Sequence, residues 1–271
     1  VLYYTARVRT NQDRMVLGSF CDTVDTMKQI STRYLDSERS VVQDWAAYIE
    51  HENMDIDEVL AYLRVSNTSQ ERYAHLVDMD TFEARSSYLR SDGDIVSIYQ
   101  RFTDPNWNSG SSMIETMRLM FDGGTAVLGK YKINESQMTV ISVGTRVTLR
   151  TAEGGSKPYL LLRVIPVESM RKLWIFPLNY TDAEIGLITT ICDYVIPSNA
   201  MRSENFIEFI RAYNFADDYN GVDALLTQLQ TTDSGLLTYN NSREEPCYWY
   251  YTKLGDYAGL VMVGYVPQKS L

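Results

Sequence analysis

Six side chains in the first two thirds of the chain are of the types that hold a small anionic molecule: Tyr99, Arg101, Trp107, Tyr131, Arg146 and Arg163. Aromatic rings supply apolar contact area, and a guanidinium presents a planar fork of donors that matches a carboxylate. Arg163 is the most informative of the three arginines. It is the one charge inside the apolar run 159–165, so it must either face solvent or be paired. Each residue also has a plainer reading, with Tyr99 and Trp107 as core and the arginines as partners of surface acids. Tyr194, Arg211 and Tyr250 form a weaker set of the same kind later in the chain. The chain has 20 tyrosines against 8 phenylalanines. Tyrosine joins an apolar ring to a polar tip, which suits wet pockets and interfaces.

Other chemistries find little support. No Gly-x-Ser-x-Gly elbow, P-loop, dinucleotide-binding glycine pattern or His-Glu-x-x-His is present. Gly123-Gly124 and Gly154-Gly155 are the adjacent glycine pairs, and both fall where turns are expected. Among 35 acidic residues some pair is always close, so a glycosidase-like carboxylate pair stays open without being indicated. The three cysteines, Cys21, Cys192 and Cys247, and the two histidines, His51 and His75, lack metal-ligand spacing. Cys192 and Cys247 either pair in an oxidising compartment or are two small buried side chains. The expectation is a chain that is not an enzyme, with no catalytic residue, no metal and no cofactor. A formal net charge of −10 argues against nucleic acid or an anionic lipid surface as partner, because their phosphates would be repelled.

The element that must position these residues is the stretch 10–50. Apolar side chains recur there at Phe20, Val24, Met27, Ile30, Tyr34, Val41, Trp45, Tyr48 and Ile49, mostly in steps of three and four. A helix of that length is about 60 Å long. Its remaining positions are polar, so it is not a membrane span. It reads as a spine or stalk, or as an ordinary amphipathic helix kinked in the middle. Its apolar stripe makes it the natural contact of a homodimer.

Beyond it, Asp55-Ile56-Asp57-Glu58 has the form of a reciprocal helix cap, opening a short helix to about residue 65. Strands are expected at 73–77 and 82–89, helices at 95–102 and 111–121, and strands at 126–132, 138–143, 146–150 and 157–166. A helical turn at 167–172 and a return to the sheet at 173–176 follow. The pattern then recurs in shorter form. Strands at 183–190 and 194–196 precede helices at 205–213 and 223–229, and strands at 236–239, 247–254 and 260–265 close the chain. Hairpin-length connections make both sheets antiparallel. The fold class is therefore α+β: a long N-terminal helix (1–53) followed by two similar modules, 54–177 and 178–271.

This order of parts resembles the double Cache (dCache, double PDC) sensor region, a pair of PAS-like modules behind a long helix on the extracytoplasmic side of bacterial transmembrane receptors. The residues that carry the resemblance lie mostly in the second module. They are Ala183-Glu184-Ile185-Gly186-Leu187-Ile188-Thr189-Thr190 leading into Asp193-Tyr194-Val195-Ile196-Pro197-Ser198, then Asn205-Phe206-Ile207-Glu208-Phe209-Ile210, and the closing Leu260-Val261-Met262-Val263-Gly264-Tyr265-Val266-Pro267. The set looks like the membrane-proximal module of sensors from anaerobic Gram-positive bacteria, which end in histidine kinase or diguanylate cyclase domains. The resemblance implies a membrane-anchored parent protein, most like a sensor histidine kinase of a two-component system, and a small-molecule ligand in the distal module. There the ligand would lie between the sheet and a cover formed by 95–121, with Tyr99, Arg101 and Trp107 on the cover and Tyr131, Arg146 and Arg163 on the facing strands. It also implies that the strand ending at Pro267 runs almost directly into a membrane helix, and that flanking segments are cut away. The Tyr, Arg, Trp and Asp cluster of the amino-acid sensors of this family is not found here in order, so amino-acid binding is not implied. The alternatives are the same fold on a diguanylate cyclase or chemoreceptor, and a surface module that binds protein.

Overall fold

The computed structural model describes residues 2–66, 74–89, 95–101, 111–133, 138–177, 180, 182–198, 201, 203, 205–214, 219–257 and 259–270. Side chains are described for these except 2–13, 87–89, 95–101, 111–112, 130–133, 138 and 219–220. The chain forms two compact units: a central one, Arg33–Arg171, and a terminal one, Val1–Thr32 with Lys172–Leu271. Helix α1, Leu2–His51, contributes residues to both. At 50 residues it is about 75 Å long, longer at its N-terminal end than the apolar periodicity alone indicates.

The buried face of α1 is Phe20, Val24, Met27, Ser31, Leu35, Glu38, Val42, Trp45, Ala46 and Ile49. Apart from the adjacent pair Trp45 and Ala46 the steps are threes and fours, so one stripe stays turned inward along the described helix. Two of its members are polar, Ser31 and Glu38, and they are one heptad apart. Ile30 and Tyr48, which belong to the apolar count of the sequence, are instead 40% and 45% exposed.

In the central unit, helix α2 (Ile56–Ser66) starts at the reciprocal cap expected of it. Asp55 Oδ1 accepts from the N–H groups of Asp57 and Glu58, both at 3.1 Å, and Glu58 Oε2 accepts from Asp55 N–H at 2.9 Å. Strands β1 (Ala74–Asp78), β2 (Glu83–Leu89) and β3 (Ile95–Arg101) follow, then helix α3 (Ser111–Phe121) and strands β4 (Leu128–Ile133), β5 (Met138–Arg150) and β6 (Ser156–Pro166), with the short helix α4 (Val167–Arg171) last. They form one antiparallel sheet in the order β3-β2-β1-β6-β5-β4.

Three local expectations are corrected. Residues 95–102 were expected to be helical, but 95–101 form strand β3, paired with β2 from Leu89↔Ile95 to Glu83↔Arg101. Ile95, Val96, Ile98 and Tyr99 are β-formers, and the free edge of β2 supplies backbone partners that a helix there would leave unused. Residues 138–150 are one strand and not two. Gly144 continues it because a Cβ there would meet Leu162 Cδ2 at 2.7 Å and the Leu161 carbonyl oxygen at 3.0 Å. Residues 173–176 do not return to the sheet.

The terminal unit has strands β7 (Glu184–Thr189) and β8 (Tyr194–Ile196), helices α5 (Phe206–Tyr213) and α6 (Tyr219–Thr231), and strands β9 (Ser234–Asn240), β10 (Pro246–Lys253) and β11 (Leu260–Pro267). Asn205 caps α5, its Oδ1 accepting from Glu208 N–H. The antiparallel sheet has the order β8-β7-β11-β10-β9. Without β3 the central sheet has the same order of parts, so the two modules share one topology and the central one carries an added edge strand.

Each sheet is covered on both faces within its own unit. In the central unit α3 packs on one face, with Met113, Met117 and Met120 against Val77, Ala84, Leu128, Val140, Leu160, Leu162 and Val164. On the other face Val42, Trp45, Ala46 and Ile49 of α1 and Val59 and Leu63 of α2 pack against Ala74, Leu76, Val147, Leu149 and Leu161. In the terminal unit α1 crosses β11 at Gly264, where an added Cβ would lie 2.6 Å from Val24 Cγ2. Tyr250 Oη donates to Asp25, and Lys28 Nζ donates to Thr252 Oγ1. Among the described residues no helix is long and apolar enough to cross a membrane.

Candidate functional site

The structure separates the two described arginines of the sequence-based set. Arg163 faces α1. It is 4% exposed, its Nε donates to Glu38 Oε2 at 2.8 Å, and its guanidinium lies over the Trp45 ring, 4.7 Å from the centroid. The charge inside the apolar strand is thus paired, with the acid supplied by the polar break in the helix stripe. Arg146 lies on the opposite side of the sheet, exposed, with its guanidinium 5.1 Å from the centroid of Phe121 on α3. Successive residues of a strand alternate faces, and Arg146 pairs in register with Leu160, not with Arg163. One pocket is therefore not lined by both arginines.

The remaining members are placed by backbone only, or not at all. Tyr99 and Arg101 stand in β3 opposite Arg85 and Glu83. Tyr131 stands in β4 opposite Val140. Trp107 lies outside the described residues. In the terminal unit the weaker set does not converge. Tyr194 is buried and its Oη shares a hydrogen bond with Ser203 Oγ, Arg211 pairs with Glu208 one turn away on its own helix, and Tyr250 turns to Asp25 of α1. The face of that sheet under α5 and α6 is filled by aromatic rings in contact, Trp249 stacked on Tyr265 and inclined to Phe206 and Phe209. Trp249 lies 4.4 Å from Tyr265, 5.5 Å from Phe206 and 5.6 Å from Phe209, centroid to centroid. The two buried cysteines belong to this core as free thiols. Burial, with Asp193 adding to it, pushes the Cys192 thiol up to about 12, and burial pushes Cys247 up to about 11. Neither is a ready nucleophile or metal ligand at neutral pH.

Sequence reasoning passed over the polar groups on the α3 side of the central sheet. His75 on β1 pairs in register with Leu162 of β6, whose side chain belongs to the α3-side core. One step along the β1–β2 register, which runs Leu76↔Arg85 and Val77↔Ala84, places His75 opposite Ser86. Ser86 in turn pairs with Ile98 of β3, while Leu162 pairs with Gly144 of β5. His75, Ser86 and Ser142 are all fully buried. Burial lowers the His75 imidazole from 6.5 to about 4, so it is neutral at physiological pH. Among the described residues the Ser86 hydroxyl makes no hydrogen bond. A buried hydroxyl without a partner costs free energy, and native structures rarely keep one without a reason. The signal available in the sequence was the histidine inside Ala74-His75-Leu76-Val77, but it says nothing of Ser86 until the two strands are paired.

The side therefore consists of an apolar floor with a short neutral polar strip, a helix presenting three methionines, and cations at its exposed edge. Arg118 lies over Phe82 at 5.7 Å, as Arg146 does over Phe121. Methionine is flexible and polarisable, so a cover built from it can repack around molecules of different shape.

No protein-family model and no curated protein matches the chain. Solved structures do. The chain is similar to the extracellular domain of the predicted histidine kinase soHK1S-Z6, with TM-score 0.61 at 9% identity over 96% of this chain and 97% of that one. It is also similar to the extracellular domain of the predicted histidine kinase rpHK1S-Z16, with TM-score 0.60 at 13% identity over 92% and 93%. A third similar structure is the ligand-binding domain of the amino-acid chemoreceptor PctB of Pseudomonas aeruginosa PAO1 in complex with L-Arg, with TM-score 0.54 at 10% identity over 93% and 97%. With its long helix and two sheets of one strand order, the chain has the double Cache fold of these sensor and ligand-binding domains.

Proposed function

We propose that the chain is the extracytoplasmic ligand-sensing domain of a transmembrane receptor, with a small-molecule site on the α3 side of the central unit. The observation that carries the reading is likeness of fold over more than nine tenths of both chains to extracellular sensor domains. The buried polar groups His75, Ser86 and Ser142 under α3, set against the ring-filled core under α5 and α6, favour the central unit as the binding module. Arg146 is the guanidinium of the sequence-based set at its edge, Tyr131 stands in β4 in register with Val140 of the α3-side core, and Trp107 stays in the proposal as a member of the same module. Tyr99 and Arg101, by contrast, stand in line with Leu76 and Asp78 on the α1 side of the sheet and are not part of a site under α3. Arg163 takes a different part. It sits next to Leu162 on β6, one side chain on the ligand side and the other holding Glu38 of α1. A ligand that shifts β6 thereby acts on the long helix, and the receptor responds as a shift between two arrangements.

A sensor histidine kinase is the output most in keeping with the compared structures; a diguanylate cyclase or a chemoreceptor with the same ectodomain is the alternative. Homodimerisation through α1 is part of the proposal and rests on the large apolar side chains it leaves exposed, Met15, Ile30 and Tyr48. The test is a thermal-shift screen of the chain against a metabolite library. Compounds that raise Tm in the wild type, and raise it less when Met117 is replaced by a larger Trp, support the site under α3. A library in which no compound stabilises the chain refutes ligand sensing and leaves the protein-interaction reading.

A further inference from the structure

We propose that the Ser86 hydroxyl is the anchoring group of the site under α3, and that it holds an uncharged hydrogen-bonding group, such as a hydroxyl, carbonyl or amide, on a ligand with an otherwise apolar body. The inference rests on the sensor reading above and deepens it to a residue and a ligand class.

Three observations converge on it. First, Ser86 is fully buried on β2, between β1 and the edge strand β3, and its Oγ has no hydrogen-bond partner among the described residues. A ligand is the partner that would make this costly group useful. Second, its neighbours on the same side are neutral. His75 is opposite it in the β1–β2 register, and burial keeps that imidazole uncharged. Val77, Ala84, Leu160, Leu162, Val164 and the methionines of α3 are apolar groups of the same side. Among the described residues the buried charges of the sheet are on its other face, where Arg163 and Glu38 hold each other. A ligand charge brought to this floor would meet no counter-ion among the described residues, and burying an unpaired charge is far more costly than burying a hydrogen-bonded neutral group. Third, the cations of this side, Arg118 and Arg146, lie against Phe82 and Phe121 at the exposed edge. Any anionic end of the ligand is confined to that edge, while its buried end is neutral.

The orphan hydroxyl gives the proposal a signature that a structural serine lacks. A serine that supports the fold loses stability when truncated, whereas a serine kept for a ligand gains it. The experiment compares wild type with Ser86→Ala by thermal shift, alone and with a panel of small alcohols, ketones and primary amides, each paired with the carboxylic acid of the same carbon skeleton. The expected result is a raised Tm for Ser86→Ala alone, stabilisation of the wild type by neutral members of the panel, and a loss of apparent affinity for those members of about tenfold in the variant. A lowered Tm or a failure of the variant to fold assigns Ser86 to the fold and overturns the inference. So do hits confined to the carboxylates, or neutral hits whose affinity Ser86→Ala leaves unchanged; all of these leave the sensor reading standing. A wild type that neither arm of the panel nor the metabolite library stabilises removes the sensor reading, and the inference with it.

Discussion

Removing one member of the Glu38–Arg163 pair should unlock the central unit from the long helix. The two side chains are 6% and 4% exposed and 2.8 Å apart. At an effective dielectric of about 20 that separation is worth about 6 kcal/mol of attraction. Desolvating the two ions costs about as much, so the pair as a whole is expected to be near neutral. Breaking it is a different matter. In Glu38→Leu the Arg163 guanidinium stays buried, held by the Trp45 ring at 4.7 Å and lacking its carboxylate. The expected cost is about 3–5 kcal/mol. The double variant Glu38→Leu with Arg163→Met replaces both charges by apolar groups and should return to within about 1–2 kcal/mol of wild type. With two compact units in one chain a single unfolding free energy is not well defined. The assay is therefore hydrogen exchange resolved to peptides of β1 and β6. Exchange there should accelerate roughly 150- to 5,000-fold in Glu38→Leu and recover in the double variant. A single variant that exchanges like wild type, or a double variant no better than the single, refutes the account of the pair as a mutually compensated buried contact.

Two further outcomes follow from the same geometry. The His75 imidazole titrates at about 4 in the native protein because it is buried, against 6.5 unfolded; between those values the unfolded chain binds the extra proton, so stability falls as pH falls through that window. The loss between pH 7 and pH 5 should be about 2 kcal/mol, seen as a drop in denaturation midpoint that is absent in His75→Gln; an equal drop in both proteins refutes it. Gly264→Ala should destabilise the terminal unit by about 1–3 kcal/mol, because its methyl group would lie 2.6 Å from Val24 Cγ2; the Tm should recover in part when Val24→Ala is added, and a variant as stable as wild type contradicts the close crossing of α1 over β11.

Much of the architecture is local and so was legible from residue order. The inward stripe of α1 repeats every three to four residues, and its periodicity is visible without knowing what it packs on. The cap at Asp55 and Glu58 involves residues three apart. The hairpin between β5 and β6 turns at Gly154, whose φ of +81° suits glycine, and hairpin-length links make the strands antiparallel. What required the tertiary structure is the sharing of residues between distant elements. Glu38 reads as a solvent-facing charge until Arg163, 125 positions away, comes to meet it. Residues 95–101 have the composition of either a strand or a buried helix, and the open edge of β2 decides for the strand. Arg146 and Arg163 read alike in a list, but the pairing of β5 with β6 puts them on opposite faces. His75 and Ser86 become neighbours only through the β1–β2 register, since a shift of one residue would turn Ser86 to the other side of the sheet. Periodicity and capping act over a single turn of chain, whereas counter-ions, sheet faces and the partners of buried hydroxyls depend on which strands pair and in what register.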